Sequence, residues 1–270
     1  MNDTVEVDGV PSSTTTEPLP APAVSNHNSD TNTTSNNNDD LSKRGDVMVV
    51  AVNSINPDMI AIVALNDLPG NLNLYMTDNA WTGSTTLTNE GTHMLTLPSS
   101  GVLAGTVFGY GDNLRLGDEW QSVSVTFALA EKGDTVILFI EVNGTIQHLS
   151  AFSYAVVGWV VPDLSADQCD TAHSALPKSL TLVGAVSLPH HKNYQYIGPV
   201  GGKADFICGE IQKQLNWKGS EASQVEAPER FFQLNQPTGS SSGGRSVVPR
   251  SIWNFCVGCL FKHNLIVALL

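Results

Sequence analysis

Short apolar runs separated by turn-forming residues dominate the middle of the chain from Asp46 onward. The turns include Asn56-Pro57-Asp58 and Leu68-Pro69-Gly70, whose residue types favour tight changes of direction. Runs of this length, rich in Val, Ile, Leu and aromatic residues, are typical of β-strands. The predicted strands are DVMVVAVNS, MIAIVALND, NLNLYMTD, HMLTLP, GTVFGY, SVSVTFALA, DTVILFIEV and IQHLSAF. Their spacing predicts an all-β fold, an antiparallel β-sandwich of lamin-tail, immunoglobulin-like or jelly-roll type.

Two local patterns sharpen this prediction. In SVSVTFALA, apolar and polar positions alternate, which places Val123, Val125, Phe127 and Leu129 on one face of a half-buried strand. The pair Asn143-Gly144 follows an apolar run, and both residues tolerate positive φ, so it predicts a β-hairpin turn.

One helix is predicted late in the chain, within KADFICGEIQKQLNW at 203–217. Ala204, Ile207, Ile211 and Leu215 recur at three- and four-residue intervals and would form its apolar face. We expect this helix to pack against the sheets.

The composition divides the chain into four parts. Residues 1–44 are rich in Ser, Thr and Asn and are predicted to be a disordered tail, because they contain too little apolar surface to offset the entropy of ordering. Residues 45–220 form the β-sandwich domain, 221–250 a flexible linker, and 251–270 an apolar C-terminal segment. Membrane association is expected only through residues 251–270, where Lys262 interrupts the apolar run.

The charge balance narrows the choice of partners. The 270 residues include 13 Lys+Arg and 26 Asp+Glu, a formal net charge of −13. A twofold acidic excess excludes a strongly basic nucleic-acid-binding protein, because such a protein needs clustered cations to neutralise phosphates. We therefore expect a protein or carbohydrate ligand and no nucleic acid.

A set of short elements in a fixed order carries a resemblance to a known class of modules. From Gly45 to Trp217 the chain resembles a β-rich accessory module of large secreted or surface bacterial proteins and of uncharacterised algal proteins, which is distantly similar to lamin-tail domains. The resemblance implies a sandwich fold and an accessory, extracellular or cell-surface role. Its elements are Gly45-Asp46, Asn53 to Asp58, Ile60 to Leu65, Leu68-Pro69, Thr77-Asp78-Asn79-Ala80-Trp81, Asn89-Glu90-Gly91-Thr92, Gly133-Asp134, Ser174-Ala175-Leu176-Pro177 and Asn216-Trp217.

Oxygen-bearing side chains in predicted loops are candidates for ligand binding. Asp78 and Asn79, with Asp67 and Glu90, could supply hard oxygen ligands to calcium. Their spacing matches no specific calcium motif, and Asp and Asn also form Asx turns. No metal or cofactor is therefore predicted, although Asp78 and Asn79 remain possible ligand-binding residues.

Tryptophans offer a second kind of candidate. Trp81 and Trp120 could form a platform on which the apolar face of a sugar stacks. Tryptophans also pack in cores, and this alternative stays open.

Cys169 and Cys208 form a possible disulfide. In an oxidising compartment the pair would close a loop of roughly 40 residues and stabilise the domain by about 3 to 4 kcal/mol in the loop-entropy view. Inside a cell both would be buried thiols.

No nucleophile elbow, phosphate-binding loop or dinucleotide fingerprint is present, so no enzyme activity is expected. The favoured hypothesis is a non-catalytic extracellular or surface-associated binding or structural module. The alternatives are a carbohydrate-binding accessory domain, a self-assembling structural protein, and a hydrolase with an unrecognised site. The first residues lack the features of a secretory signal, which leaves a cytoplasmic location as the alternative.

Overall fold

The computed structural model describes residues 43–86, 90–125, 127–160, 173–228 and 231–235. The predicted tail at 1–44 lies almost entirely outside these residues. The apolar segment at 251–270 and much of the predicted linker also lie outside them. In the described part, 41% of residues are in strands and 10% in helices, which confirms the predicted strand-rich fold.

The strands and the helix of this part of the chain have the following bounds. The strands are β1 Val47–Asn53, β2 Met59–Ala64, β3 Asn73–Thr77, β4 Thr92–Thr96, β5 Val107–Tyr110, β6 Gln121–Ser122, β7 Thr135–Val142, β8 Thr145–Ser153, β9 Ala185–Ser187, β10 Asn193–Tyr196, β11 Gly201–Gly202, β12 Trp217–Ser220 and β13 Gln233–Leu234. The α-helix is α1 Ala204–Ile211.

The strands form two main sheets and one small pair. The first sheet has the order β12-β10-β1-β2-β5, and its neighbouring strands are all antiparallel. The second has the order β6-β4-β3-β7-β8-β9, in which β8 and β9 are parallel. β11 and β13 also pair in parallel. The sheets are thus antiparallel and mixed, whereas the prediction was purely antiparallel.

One buried cluster extends across both main sheets. Met48 and Ile62 of the first sheet and Leu138 and Phe152 of the second belong to it, and each is 0% exposed. β1 contacts both β8 and α1, which explains why every residue of β1 is buried. A strand covered on both faces needs a continuous apolar run rather than an alternating one, and VMVVAVN is such a run.

A smaller cluster lies on the opposite face of the second sheet. Ile137 and Ala151 pair across β7 and β8 and belong to this cluster together with Trp81. Side chains alternate between the faces of a strand, so Ile137 and its neighbour Leu138 pack into different clusters.

The predicted strand SVSVTFALA is wrong over most of its length. Of its eight described residues, only the first, Ser122, lies in a strand, β6. Val123 and Val125 are 55% and 52% exposed, whereas Phe127 and Leu129 are buried at 3% and 6%. The four side chains therefore do not share one face. The Asn143-Gly144 hairpin is confirmed: the two residues join β7 to β8 with φ values of 52° and 74°.

The predicted helix is correct in place but too long. α1 ends at Ile211, and Leu215 is 79% exposed rather than packed on an apolar face. The side chains that follow satisfy the last helical carbonyls: Asn216 Nδ2 donates to the Glu210 carbonyl at 2.9 Å, and Trp217 Nε1 donates to the Ile211 carbonyl at 2.7 Å. Trp217 is also the first residue of β12.

The packed region also continues past the predicted boundary at residue 220. Phe232 is 3% exposed within the main cluster, and its amide donates to the Gly105 carbonyl at 2.6 Å. β13 follows directly. Residues 231–235 therefore belong to the folded domain and not to a linker. Among the described residues, no helix combines the length and apolar character that a bilayer crossing requires.

Replacing Leu138 by Ala tests the shared core. The side chain is fully buried between the sheets, so we expect the free energy of unfolding to fall by about 2 to 5 kcal/mol. Leu182→Ala is the matched control, because Leu182 is 89% exposed and its loss is expected to cost less than about 0.5 kcal/mol. Urea unfolding measures both, and similar losses would contradict the assignment of the core.

Candidate functional site

A large groove formed by described residues lies along the edge strand β5, next to the end of β1 and the start of β2. Its volume is about 1240 Å³. The loop at 112–118 forms one wall, and residues 224–228 with Phe231 form another. The side chains that matter for its chemistry are Asn53, Asp58, Asp112, Asn113, Arg115, Asp118, Gln224, Glu226 and Phe231.

A second cavity of about 460 Å³ adjoins the groove. It shares Pro57, Asp58, Asp112 and Asp118 with the groove. Its remaining lining is partly aromatic and comprises Asn56, Tyr110, Gly111, Gly117, Trp120 and Phe127. The two cavities together form one acidic surface with an aromatic end.

The wall at 224–228 is held by a buried amide. The Asn53 side chain, 4% exposed, donates from Nδ2 to the Val225 carbonyl at 2.9 Å, and Asn53 Oδ1 accepts from the Val225 amide at 2.7 Å. The amide group thus pairs with this segment as a neighbouring strand would. Gln224 adds a bond from Nε2 to the Ile55 carbonyl at 3.1 Å.

Asn193 makes a similar connection one strand away. It is 0% exposed, accepts from the Ser54 amide at 3.1 Å and donates to the Ser223 carbonyl at 2.8 Å. Each polar group of such a buried side chain must be hydrogen-bonded to offset its lost hydration. The chain after β12 is consequently attached to the first sheet at two points.

The opposite wall is fixed through Trp120. Its Nε1 donates to the Gly109 carbonyl at 2.9 Å, while the Gly109 amide donates to the Arg115 carbonyl at 3.1 Å. Leu116 adopts a left-handed conformation with φ of 61°, and Gly117 approaches the Gly111 carbonyl so closely that a Cβ would lie 2.2 Å from it. The loop is therefore a compact turn folded back onto the edge strand β5.

The lining of the groove is strongly acidic. Asp58, Asp112, Asp118 and Glu226 contribute carboxylates, and Arg115 is the one cation among the described lining residues. Apart from half-buried Asp58, these charged side chains are exposed. Carboxylates and amides in a wide, open groove can accept hydrogen bonds from cationic or hydroxyl-rich ligands.

Asp58 is the half-buried acid of the groove. Partial burial raises its pKa, the hydrogen bond from the Leu129 amide partly offsets this, and the nearby charge of Glu131 raises it further. Burial also raises the pKa of Tyr110, with a contribution from Asp58. The acid and the phenol therefore lie close together at the boundary between the two cavities.

The structure gives Asp78 and Asn79 internal roles. Asn79 is 3% exposed; its Nδ2 donates to the Glu90 carbonyl at 2.9 Å, and its Oδ1 accepts from the Glu90 amide at 2.8 Å. Asp78 is 1% exposed and accepts from the Ala128 amide at 3.0 Å. Neither residue lines the groove or the adjoining cavity. The described residues contain no group of three or more His, Cys, Asp or Glu side chains arranged to hold a metal.

Trp81 and Trp120 are not brought together. Trp81 is 9% exposed in the smaller cluster, where its ring meets His148 edge-on with 4.7 Å between ring centroids. Trp120 is 8% exposed, belongs to the main cluster and lines the adjoining cavity. Of the predicted ligand-binding residues, only Trp120 lies at the candidate site.

Cys208 is buried on α1 and has no disulfide partner among the described residues, and burial raises the pKa of its thiol to about 11. Cys169 lies outside the described residues, so the predicted pairing of the two cysteines stays a prediction.

Sequence reasoning missed Asp58, Asp112, Asp118 and Glu226. Asp58 lies in the Asn-Pro-Asp group and Asp112 in Gly-Asp-Asn, both of which resemble ordinary turns. Their convergence depends on the pairing of β2 with β5, which brings Ile60 opposite Tyr110. A search for acidic residues flanking predicted neighbouring strands could have found these two.

Comparison with protein-family models, with curated proteins and with solved structures found no match. The resemblance to the bacterial and algal modules therefore stays a prediction.

Asn53→Ala tests how the groove wall is held. The change removes both side-chain partners of Val225, so we expect faster amide exchange at Val225 and a loss of about 1 to 3 kcal/mol in unfolding free energy. Asn73→Ala is the control, since Asn73 makes an exposed bond with Thr96 at 2.8 Å. Equal exchange at Val225 in the two variants would show that Asn53 does not hold the wall.

Proposed function

We propose that the domain is a non-catalytic binding module and that its groove takes a cationic segment of a protein partner. The observation that carries the proposal is the lining of the groove, which contains four carboxylates and one guanidinium. If the partner segment is extended, several of its Lys or Arg side chains would reach these carboxylates at once.

The dimensions of the groove support a polymeric ligand. Pockets for small molecules usually measure about 300 to 1,000 Å³ and enclose most of the ligand. The groove, at about 1240 Å³, is larger and continues into the adjoining cavity. Phe231, 58% exposed, lies at its edge and offers an apolar contact next to the charges. A short stretch of polypeptide fits this combination of length, charge and one apolar position.

The charge of the whole chain supports the same ligand. A net charge of −13 creates a negative field that attracts cations and accelerates their association at low salt. Binding should therefore weaken as ionic strength rises, because salt screens exposed charges.

A binding role agrees with the chemistry of the lining. The described lining residues of both cavities include no histidine, and their polar side-chain groups are carboxylates, amides, one guanidinium, one phenol, the Thr106 hydroxyl and the Trp120 indole N–H. A hydrolase would need a nucleophile or an activated water beside a base. The carboxylates of the lining could supply such a base, so the preference for recognition rests on the excess of exposed acidic groups and the width of the groove.

Self-assembly through the edge strand β9 is disfavoured. Gln212 Nε2 donates to the Ala185 carbonyl at 3.3 Å, and Gln214 Nε2 donates to the Ser187 carbonyl at 2.8 Å. An edge whose carbonyls already have partners is a poor template for another strand.

The sandwich type and the extracellular or cell-surface location belong to this proposal as well. Both depend on the resemblance to secreted accessory modules, and two main sheets that share one buried cluster are compatible with a sandwich.

A binding measurement with a decalysine peptide tests the proposal. We expect Asp112→Asn/Asp118→Asn to raise the Kd roughly three- to tenfold, since an exposed charge pair contributes about 0.2 to 1 kcal/mol. The control is Asp205→Asn/Glu141→Gln, which removes the same charge from exposed positions outside the groove and should leave Kd nearly unchanged. Calorimetry at low and moderate salt gives the readout.

Three outcomes would contradict the proposal. One is the absence of peptide binding at low salt. Another is an equal loss of affinity in both double variants, which would indicate a general charge effect. The third is binding of a neutral hexasaccharide without binding of the peptide, which would favour the carbohydrate alternative.

A further inference from the structure

Three consecutive backbone amides are bound by three different carboxylates. Ala128 donates to Asp78 Oδ2 at 3.0 Å, Leu129 to Asp58 Oδ2 at 2.8 Å, and Ala130 to Asp134 Oδ2 at 2.9 Å. We call Asp58, Asp78 and Asp134 the aspartate cluster. Its bonds take the place of the strand pairing that the sequence predicts for this segment.

The cluster joins elements from both main sheets. Asp58 immediately precedes β2 of the first sheet, Asp78 immediately follows β3, and Asp134 immediately precedes β7 of the second sheet. On its other side the 127–130 segment is held by the Tyr154 hydroxyl, which donates to the Ala130 carbonyl at 3.1 Å. The segment is therefore fixed by side chains at the junction of the two sheets.

Two acids of the cluster are buried away from solvent. Asp134 is 0% exposed and Asp78 is 1% exposed. Burial raises the pKa of Asp78 to about 6 and the pKa of Asp134 well above its ordinary value, and in both cases backbone amides offset only part of the effect. Burial is also the main cause of the raised pKa of Asp58.

Neighbouring acids add to this effect. The charge of Asp58 raises the pKa of Asp78, and the charges of Glu90 and Asp78 raise that of Asp134. Lys192 pairs with Glu131 at 2.6 Å, so this cation is already engaged with an acid. The titratable groups near the cluster include Tyr154, Tyr110, Glu90 and Glu131. His93 is a further one, because its ring meets that of Phe127 edge-on with 5.4 Å between centroids, and burial lowers its pKa.

We propose that the aspartate cluster is a proton-sensitive clamp on the 127–130 segment, closed while the cluster retains protons and loosened when all three carboxyl groups are ionised. Ionisation transfers the protons to solvent and leaves three negative charges in a confined space. The amide hydrogen bonds remain available to the carboxylates, but mutual repulsion and lost hydration oppose the compact arrangement.

The direction of the pH dependence follows from the raised pKa values. A carboxyl group with a higher pKa in the folded state binds its proton more tightly there, so it stabilises the fold at low pH. This contribution is complete below the ordinary pKa of Asp, near 4, and is lost as pH rises through the folded value. For Asp78 that window extends from about 4 to above 6. The clamp therefore weakens as the solution approaches neutrality from the acid side.

The clamp also reaches the candidate site. Asp58 lines the groove and the adjoining cavity, and Phe127 lines the cavity. A cation bound beside Asp58 would offset the repulsion of the ionised cluster. This coupling rests on the proposed function, whereas the clamp itself does not.

Titration of the folded wild-type chain tests the clamp directly. We expect the carboxyl ¹³C resonance of Asp78 to titrate near pH 6 and the amide resonances of Ala128, Leu129 and Ala130 to move with the same midpoint. Because the acids interact, the midpoints belong to the cluster rather than to single residues. A carboxyl titration near pH 4 with no accompanying movement of the three amides would overturn the proposal.

Unfolding equilibria provide the matched comparison. Between pH 4.5 and pH 7 we expect the unfolding equilibrium constant of the wild type to rise by a factor on the order of ten through Asp78 alone. Asp78→Asn should remove this part of the pH dependence, while Asp67→Asn should retain it, because exposed Asp67 accepts the Ala104 amide at 2.7 Å outside the cluster. Identical profiles for the two variants would overturn the clamp.

The clamp proposal and the groove proposal can be refuted independently of each other. If Asp78→Asn does not fold, the wild-type titration still decides the clamp. If the decalysine peptide does not bind, the groove proposal fails and the titration of the cluster is unaffected. If both hold, the affinity for the peptide should rise with pH across the titration of Asp58.

Discussion

Buried backbone groups that lack a strand partner are the constraint on which this domain depends. Where the two main sheets meet, the chain runs in segments too irregular for a ladder, and each amide left unpaired in the interior would cost about 1 to 3 kcal/mol. Side-chain carboxylates and amides supply the missing partners. The aspartate cluster does so for 127–130, and Asn53 and Asn193 do so for the chain after β12.

The two kinds of partner have different consequences. An amide such as that of Asn53 both donates and accepts and carries no charge, so it pairs with a peptide group at any pH. A carboxylate binds an N–H more strongly, but it must shed its hydration to do so. Three carboxylates gathered around one segment make the junction sensitive to protons, and the sheets on either side remain ordinary apolar structures. Asp58 belongs to both the junction and the groove, so the interior and the surface are connected through one side chain.

The sequence predicts the features that depend on contacts between residues close in the chain, and it misses those that depend on contacts between distant residues. Local signals were sufficient for most strands, because the apolar runs of β1, β2 and β7 and the turn at Asn143-Gly144 specify their own conformation. They failed at SVSVTFALA, whose alternation is genuine but whose amides are bound by residues 4 to 71 positions away. They failed again at Leu215, where capping by Asn216 and Trp217 ends the helix. The groove could not be predicted from local signals for the same reason, since its acids converge only through strand pairing.

The attachment of the chain after β12 also determines where the domain can be shortened. A fragment that ends at Ser220 would retain every strand of both main sheets, yet it would lose the partner of Asn53, the edge contributed by Phe231 and the core contact of Phe232. Such a fragment would expose buried apolar surface beside Gly105 and leave the groove open on one side. The smallest piece that keeps these contacts therefore includes Phe231 and Phe232, and a piece that also keeps β13 paired with β11 extends to Asn235, whose amide donates to the Gly202 carbonyl at 2.7 Å.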